Sequence, residues 1–177
     1  MKNIFFALIL FAVPISAFMP SKDTNKIYWS NDVQLRWTDF KGSPKHIEGI
    51  EAFTTTGIDP KVENSKLGIY CYFEKNTSWR IKKSETEYLL KHEQYHFNIT
   101  ELFARKLRKQ IRESNLSKKG NELQKVINKN ALEWAKFEVL YDKETKHSKN
   151  TEAQAKWISD IDNQLKELSD FTDPIVE

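Results

Sequence analysis

The residues best suited to chemistry in this chain lie in one short motif, His92-Glu93-Gln94-Tyr95-His96, which has the pattern H-E-x-x-H. On an α-helix, residues four apart lie one turn above each other, with Cβ atoms roughly 5–6 Å apart. Two imidazoles at this spacing can bind one tetrahedral zinc ion from the same side. Glu93 is rotated about 100° from His92 around the axis, so its carboxylate can act on a coordinated water without competing for the metal. The motif therefore predicts a zinc site with a general base beside it.

The motif requires a helix, and the surrounding sequence predicts one. Ser84 and Glu87 have the spacing of a capping box, with Ser84 as the N-cap. No glycine or proline interrupts the chain from there to about residue 114. Apolar residues recur at helical spacing on two stripes, so we expect a helix that is buried on two sides. Two ordinary, partly buried histidines are the alternative interpretation of His92 and His96, but their spacing around a glutamate favours a metal.

The first residues of the 177-residue chain have the pattern of a signal peptide over residues 1–17. Lys2 precedes an apolar run over residues 4–13, and Ala17 ends a small-residue cleavage site. The run is too short to span a membrane, so we expect no stable membrane anchor after cleavage. We expect export to the periplasm or the exterior. About 160 residues then remain, which is enough for a single domain, residues 18–177, with a real core.

Cysteine content and charge exclude several kinds of site and partner. Cys71 is the only cysteine, so an internal disulfide and a cysteine-based zinc site are both excluded, and its apolar surroundings predict a buried core residue. The formal net charge is +3, and loss of Lys2 brings it to about +2. This is too little to indicate nucleic acid or an anionic membrane as a partner. A peptide or protein substrate is the partner that we expect.

The pattern of apolar residues divides the chain into a β-rich half and a helical half. Alternating and β-branched segments predict strands over residues 26–37, 51–58 and 67–73, the last extended by 77–81, with Asp59-Pro60 closing the second. Helical spacing predicts helices over residues 84–114, 121–140 and 151–168, with Thr151 and Gln154 as a capping box, followed by a loose tail. Strands followed by helices predict an α+β fold with an N-terminal, mostly antiparallel sheet and three helices. The edge of such a sheet could pair with a peptide substrate.

A catalytic zinc site usually has three protein ligands, and the motif supplies two. Ile99 and Leu102 stand where a longer zinc motif has Gly and His, so the third ligand must come from elsewhere. We rank His147 first, because it lies in a polar segment, residues 141–147, that is predicted to connect the second and third helices. The carboxylate alternatives are Asp142, Glu144, Glu133 and Glu138. Glu101 should point away from the metal, and His46 has the surroundings of an exposed surface residue.

Three segments carry a resemblance to a known family: LRWTDFKG at 35–42, HEQYHFNI at 92–99 and YDKETKH at 141–147. Over essentially the whole mature chain, the sequence resembles the bacterial DUF922 family, described as predicted secreted zinc-dependent proteases of the zincin type. The resemblance implies a small zincin-like domain in which His92 and His96 bind zinc and Glu93 is the catalytic base. It also supports His147 as a ligand. Ser148 departs from the glycine expected after that histidine.

These observations lead to one expected mechanism and two alternatives. Zinc held by His92, His96 and His147 would lower the pKa of its water toward 7, and Glu93 would accept the proton during peptide hydrolysis. Tyr141 is our candidate donor to the oxyanion, and Asp142 could orient a ligand imidazole. A non-catalytic zinc-binding protein of the cell envelope is one alternative. A zinc amidase that acts on cell-wall peptides is the other.

Overall fold

The computed structural model describes residues 24–116 and 119–176, and in this part of the chain antiparallel strands come first and three helices follow. The α+β architecture predicted from the sequence is therefore confirmed. The predicted signal peptide, residues 1–17, lies outside the described residues. No helix within the described ranges has the length and apolar character needed to cross a membrane.

The strands form two small antiparallel sheets. The strands are β1 (Lys26–Tyr28), β2 (Ala52–Phe53), β3 (Thr56–Glu63), β4 (Lys66–Glu74) and β5 (Trp79–Arg80). The first sheet has the order β1-β4-β3, and the second pairs β2 with β5. β3 continues through Pro60 to Glu63, so the prediction that Asp59-Pro60 closes this strand is wrong. The edge position of β3 explains the proline, because an edge strand can lack one ladder donor.

The strand predicted over residues 26–37 ends at Tyr28, and Trp37–Asp39 forms a 3-10 turn. Residues beyond Tyr28 instead donate hydrogen bonds to polar side chains of the motif helix. The backbone N–H of Leu35 donates to Oε1 of Gln94 (2.8 Å), and the indole of Trp29 donates to Oδ1 of Asn98 (3.2 Å). Alternation was misleading here because a docked loop can bury every second residue without a strand partner.

The three helices are α1 (Glu87–Glu113), α2 (Gly120–Thr145) and α3 (Thr151–Glu167). Thr86 is the N-cap of α1, with its hydroxyl oxygen accepting from the N–H of Leu89 (3.1 Å). The prediction of Ser84 is wrong because Lys82–Ser84 forms a separate 3-10 turn. Asn150, and not Thr151, is the N-cap of α3.

Helix α1 is the centre of the core, as its two apolar stripes predict. One stripe packs on the sheet with Ile69, Cys71 and Phe73, and the other packs on α2 and α3 with Tyr141 and Ile161. Cys71 is buried, which confirms its predicted place in the core. The motif helix is thus held from both sides, and its buried side chains have little freedom to move.

A buried ion cluster connects α1 to α3 and to β4. Glu101 accepts hydrogen bonds from Arg105 (2.9 Å) and Arg108 (2.8 Å), and all three side chains are almost fully buried. Arg105 also donates to the carbonyl of Leu165, and Arg108 to that of Ile69. Glu101 points away from the motif histidines, as predicted.

The last residues are ordered against β4, so the prediction of a loose tail is wrong for the described part. The N–H of Ile69 donates to the carbonyl of Pro174 (2.8 Å), and the N–H of Val176 donates to that of Leu67 (2.9 Å). Val176 is buried in the core that faces the sheet. A short apolar segment without periodicity carries no signal of such docking.

Candidate metal centre

Three potential ligand atoms from two helices meet beside the sheet. The Nε2 atoms of His92 and His96, on successive turns of α1, lie 3.3 Å apart. Oδ1 of Asp142, near the end of α2, lies 3.2 Å from each of them. His92 is fully buried, and His96 and Asp142 are partly buried. The three atoms therefore form a nearly equilateral triangle.

The distances between these three atoms fit the tetrahedral coordination of a metal ion. For Zn²⁺ with bonds of about 2.0–2.1 Å, neighbouring ligand atoms of a regular tetrahedron lie about 3.3–3.4 Å apart. The observed edges of 3.2–3.3 Å are close to this value. The group of His92, His96 and Asp142 could thus hold a metal ion. Two imidazoles and a carboxylate suit Zn²⁺ and other first-row divalent ions alike.

Asp142 lies on a helical turn of α2, because this helix extends beyond its predicted end at residue 140. The helix continues to Thr145, so the prediction that residues 141–147 form a polar connection is wrong for most of that segment. Lys146 ends the helix in a left-handed conformation, and the N–H of His147 donates to the carbonyl of Asp142 (3.1 Å). Asp142 therefore projects from a regular helical turn that is held against α1.

His147 lies at the border of the group. Its Nδ1 atom is 3.2 Å from Oδ1 of Asp142, but its side chain is 42% exposed. Among the described residues, the potential ligand atoms that lie close to one another belong to His92, His96 and Asp142, and this group does not include His147. A ligand role for His147 stays a prediction.

The other carboxylates predicted as alternative ligands have different partners. Glu133 is exposed and lies 3.8 Å from the ammonium of Lys129. Glu144 accepts a hydrogen bond from the indole of Trp157 (2.8 Å). Glu138 does belong to the site, but it contacts Nδ1 of His96 and not the Nε2 atom that faces the other potential ligands. His46 is exposed, as predicted.

Each motif histidine has its own support. Nδ1 of His96 lies 2.5 Å from Oε2 of Glu138, and the other oxygen of Glu138 accepts from the indole of Trp134 (2.8 Å). The ring of Tyr141 stacks on His92 at 4.7 Å and 15°. Nδ1 of His92 is buried, with no hydrogen-bond partner in the described part of the chain. Nε2, which faces the other two ligand atoms, is therefore the nitrogen through which that ring makes polar contact.

Tyr141 is fully buried, and its hydroxyl donates to the backbone carbonyl of His92 (3.3 Å). Burial and the nearby carboxylate of Glu93 raise the pKa of Tyr141, so the hydroxyl keeps its proton and can donate. In this arrangement Tyr141 supports a ligand residue. Its predicted role as an oxyanion donor stays a prediction.

Glu93 is buried beside the two histidines, as expected for a general base. The hydroxyl of Thr54 donates to its Oε2 atom at 2.6 Å. Burial raises the pKa of Glu93, while the two neighbouring histidines and this hydrogen bond oppose the shift. A carboxylate with a raised pKa is better suited to accept and return a proton near neutral pH.

The three potential ligands are also coupled by charge. Burial lowers the pKa of His92. Burial has the same tendency at His96, but the carboxylates of Glu138 and Asp142 outweigh it and raise the pKa of that imidazole. For Asp142, hydrogen bonds to both histidines outweigh the effect of burial and hold the pKa below its usual range. The carboxylate is thus ionised and available as a ligand.

A cavity of about 280 Å³ opens onto these groups. Residues 50–56, which include β2, form one wall, and Leu89 and Trp134 contribute apolar surface. His92, Glu93, His96, Glu138, Asp142 and His147 also line it. The potential ligands and the candidate base therefore face one shared space.

Comparisons with known proteins gave no match, whether with protein-family models, with curated proteins or with solved structures. Membership of the DUF922 family accordingly stays a prediction.

Two residues of the site were not predicted from the sequence. Thr54 lies in a run of three threonines that predicts only a strand, and its contact with Glu93 spans 39 residues. Trp134 is a partly buried residue of α2 that packs against the core. Its position four residues before Glu138 is the one pattern that could have suggested their hydrogen bond.

Proposed function

We propose that this protein is an exported, zinc-dependent peptidase of the zincin type, related to the DUF922 family. The observation that carries the proposal is the triangle of His92, His96 and Asp142, with Glu93 buried in the same cavity. Glu93 is a buried carboxylate beside the potential metal group but outside it, and this position is suited to a general base and not to a structural ligand. Export, to the periplasm or the exterior, is proposed from the sequence pattern of residues 1–17.

In this proposal, two histidines and Asp142 hold the ion, and His147 lies against Asp142 at the open side. Bound zinc would supply Lewis acidity and lower the pKa of a water molecule. Glu93 would accept the proton of the attacking water and pass it to the leaving amine. The hydroxyl of Thr54 would hold the Glu93 carboxylate in one orientation during this transfer.

The surroundings of the cavity support a peptide as the substrate. Residues 50–56 bring strand-like backbone along one wall, and an extended peptide can add to such a segment by main-chain hydrogen bonds. The cavity is lined on the same side by apolar residues, which suits the side chains of a peptide.

The test compares the purified protein with Glu93→Gln, which keeps the size of the side chain but removes the base. We expect about one zinc per chain in both proteins by elemental mass spectrometry. Hydrolysis of a mixed peptide pool should fall by about 10²–10⁴-fold in Glu93→Gln. Glu113→Gln, an exposed position on the same helix, is the matched control and should behave as wild type.

Other outcomes separate the alternatives. Equal turnover by wild type and Glu93→Gln would contradict the mechanism. A full zinc content without hydrolysis of any peptide would favour a non-catalytic zinc-binding protein. Hydrolysis restricted to cell-wall peptides would favour the amidase.

A further inference from the structure

Several residues that line the cavity next to the potential metal group are apolar. Its apolar side chains come from Ile50, Ala52, Phe53, Leu89 and Trp134. Phe53 is the most unusual, because it is 48% exposed although it is a large aromatic residue. Its ring stacks on the buried Trp79, with centroids 6.2 Å apart and an angle of 14°. This contact holds the ring in place and leaves the rest of its surface free.

Three of the carboxylates that line the cavity already have partners. Asp142 contacts the histidines, Glu138 accepts from His96 and Trp134, and Glu93 accepts from Thr54. No Lys or Arg of the described chain lines the cavity. Glu51 does line it but is exposed to solvent, where an ion pair contributes little.

A charged side chain that entered this cavity would therefore lose hydration and find at most the exposed Glu51 as a new partner, which is unfavourable. An apolar side chain would lose no polar interaction and would cover the exposed surface of Phe53. The balance of these effects selects against acidic and basic residues and favours large apolar ones.

From this chemistry we infer that the site selects peptides with a bulky, uncharged apolar side chain next to the bond that is cleaved, and that Phe53 contacts this side chain. The inference rests on the proposed peptidase function. It assigns Phe53 to substrate selection, because the ring stacks on Trp79 and lies outside the group of potential ligands.

The test uses a series of peptides that differ at one position, with Leu, Phe, Ala, Asp or Lys there, and measures kcat/KM with the zinc-loaded protein. We expect the Leu and Phe peptides to exceed the Ala peptide by about 10–100-fold, as apolar pockets usually discriminate. The Asp and Lys peptides should be slower still.

Variants of Phe53 connect this preference to the cavity. Phe53→Ala should reduce the advantage of the Leu peptide over the Ala peptide at least about 5-fold, without a change in zinc content. Phe53→Lys, which suits a half-exposed position, should instead raise the relative rate for the Asp peptide. Val62→Ala is the matched control, because Val62 is an exposed apolar residue of β3 outside the cavity lining.

Several outcomes would overturn the inference. Cleavage of the Asp or Lys peptide as fast as the Leu peptide would do so while the proposed function stands. The same holds if Phe53→Ala and Phe53→Lys both keep the wild-type preference. If the protein binds zinc but cleaves none of the peptides, the proposed function and this inference fail together.

Discussion

Nδ1 of His96 lies 2.5 Å from a carboxylate oxygen of Glu138, on the side of the ring opposite to the potential metal group. An ionised carboxylate can only accept a hydrogen bond, so the proton of this contact belongs to Nδ1. That leaves Nε2 to face His92 and Asp142. Glu138 is itself held by the indole of Trp134. This pair therefore sets the orientation of one ligand ring.

Replacing Glu138 should weaken zinc binding without removing a ligand. We expect Glu138→Ala to lower the zinc affinity about 10–100-fold and Glu138→Gln to lower it less, because the amide oxygen can still accept from Nδ1. Competition with a chromophoric chelator measures the affinity, and the absorption of the Co²⁺-loaded protein reports the geometry. Glu133→Gln, an exposed position of the same helix, should leave both unchanged. Wild-type zinc affinity in Glu138→Ala would contradict this role.

The third ligand can be decided by a comparison of Asp142→Ala with His147→Ala. The structure places Oδ1 of Asp142 at 3.2 Å from both histidine nitrogens, so we expect Asp142→Ala to lose most of its zinc. His147→Ala should retain a larger share, since this side chain lies at the exposed border. Zinc content is measured by elemental mass spectrometry after dialysis. The reverse order would establish His147 as the ligand.

Zinc should stabilise the folded protein, because the ligand group exists only when α1 and α2 are packed together. With free zinc at about 100 times its dissociation constant, the free energy of unfolding should rise by about 2.7 kcal/mol. Thermal unfolding with added zinc and with a chelator measures this shift. His96→Ala should abolish it, whereas His46→Ala, at an exposed position, should keep it. An equal shift in His96→Ala would place the zinc elsewhere.

The buried cluster around Glu101 should contribute strongly to stability. Glu101→Gln would leave Arg105 and Arg108 buried without a compensating charge, which costs about 3–5 kcal/mol of unfolding free energy. Denaturation with urea measures the change. Glu113→Gln, whose partner Lys109 is also exposed, should change stability by less than about 0.5 kcal/mol. A small effect at Glu101 would show that the two arginines find other partners.

Ser148 is a position where glycine should be better. Its φ is 70°, and it follows Lys146 and His147, which are also left-handed, with φ of 51° and 50°. Because a side chain is unfavourable in this conformation, Ser148→Gly should raise the free energy of unfolding by about 0.5–1 kcal/mol. Thermal unfolding measures it, with zinc content expected to stay the same. Lys149→Gly, which lacks a positive φ, is the control and should not stabilise the protein.

The resemblance to the DUF922 family implies a glycine after His147, where this chain has Ser148. Ser148 has a left-handed backbone, which glycine adopts most readily, whereas membership of the family stays a prediction. The helix that precedes this turn was predicted about five residues too short. The polar residues before His147 were interpreted as a connection between the second and third helices.

The sequence by itself determined the helix that carries His92 and His96, their common face and the position of Glu93 between them. These features depend on local periodicity, which is written in residues three and four apart. It also determined that strands precede the helices and that Cys71 lies in the core.

Only the tertiary structure decided which residues complete the site. Asp142 is 50 residues from His92 along the chain, and Thr54 is 39 residues from Glu93. Their contacts depend on how α2 and residues 50–56 pack on α1, and no local pattern specifies such packing. Among several polar residues with similar local preferences, the one that becomes a ligand is the one that the packing brings within reach.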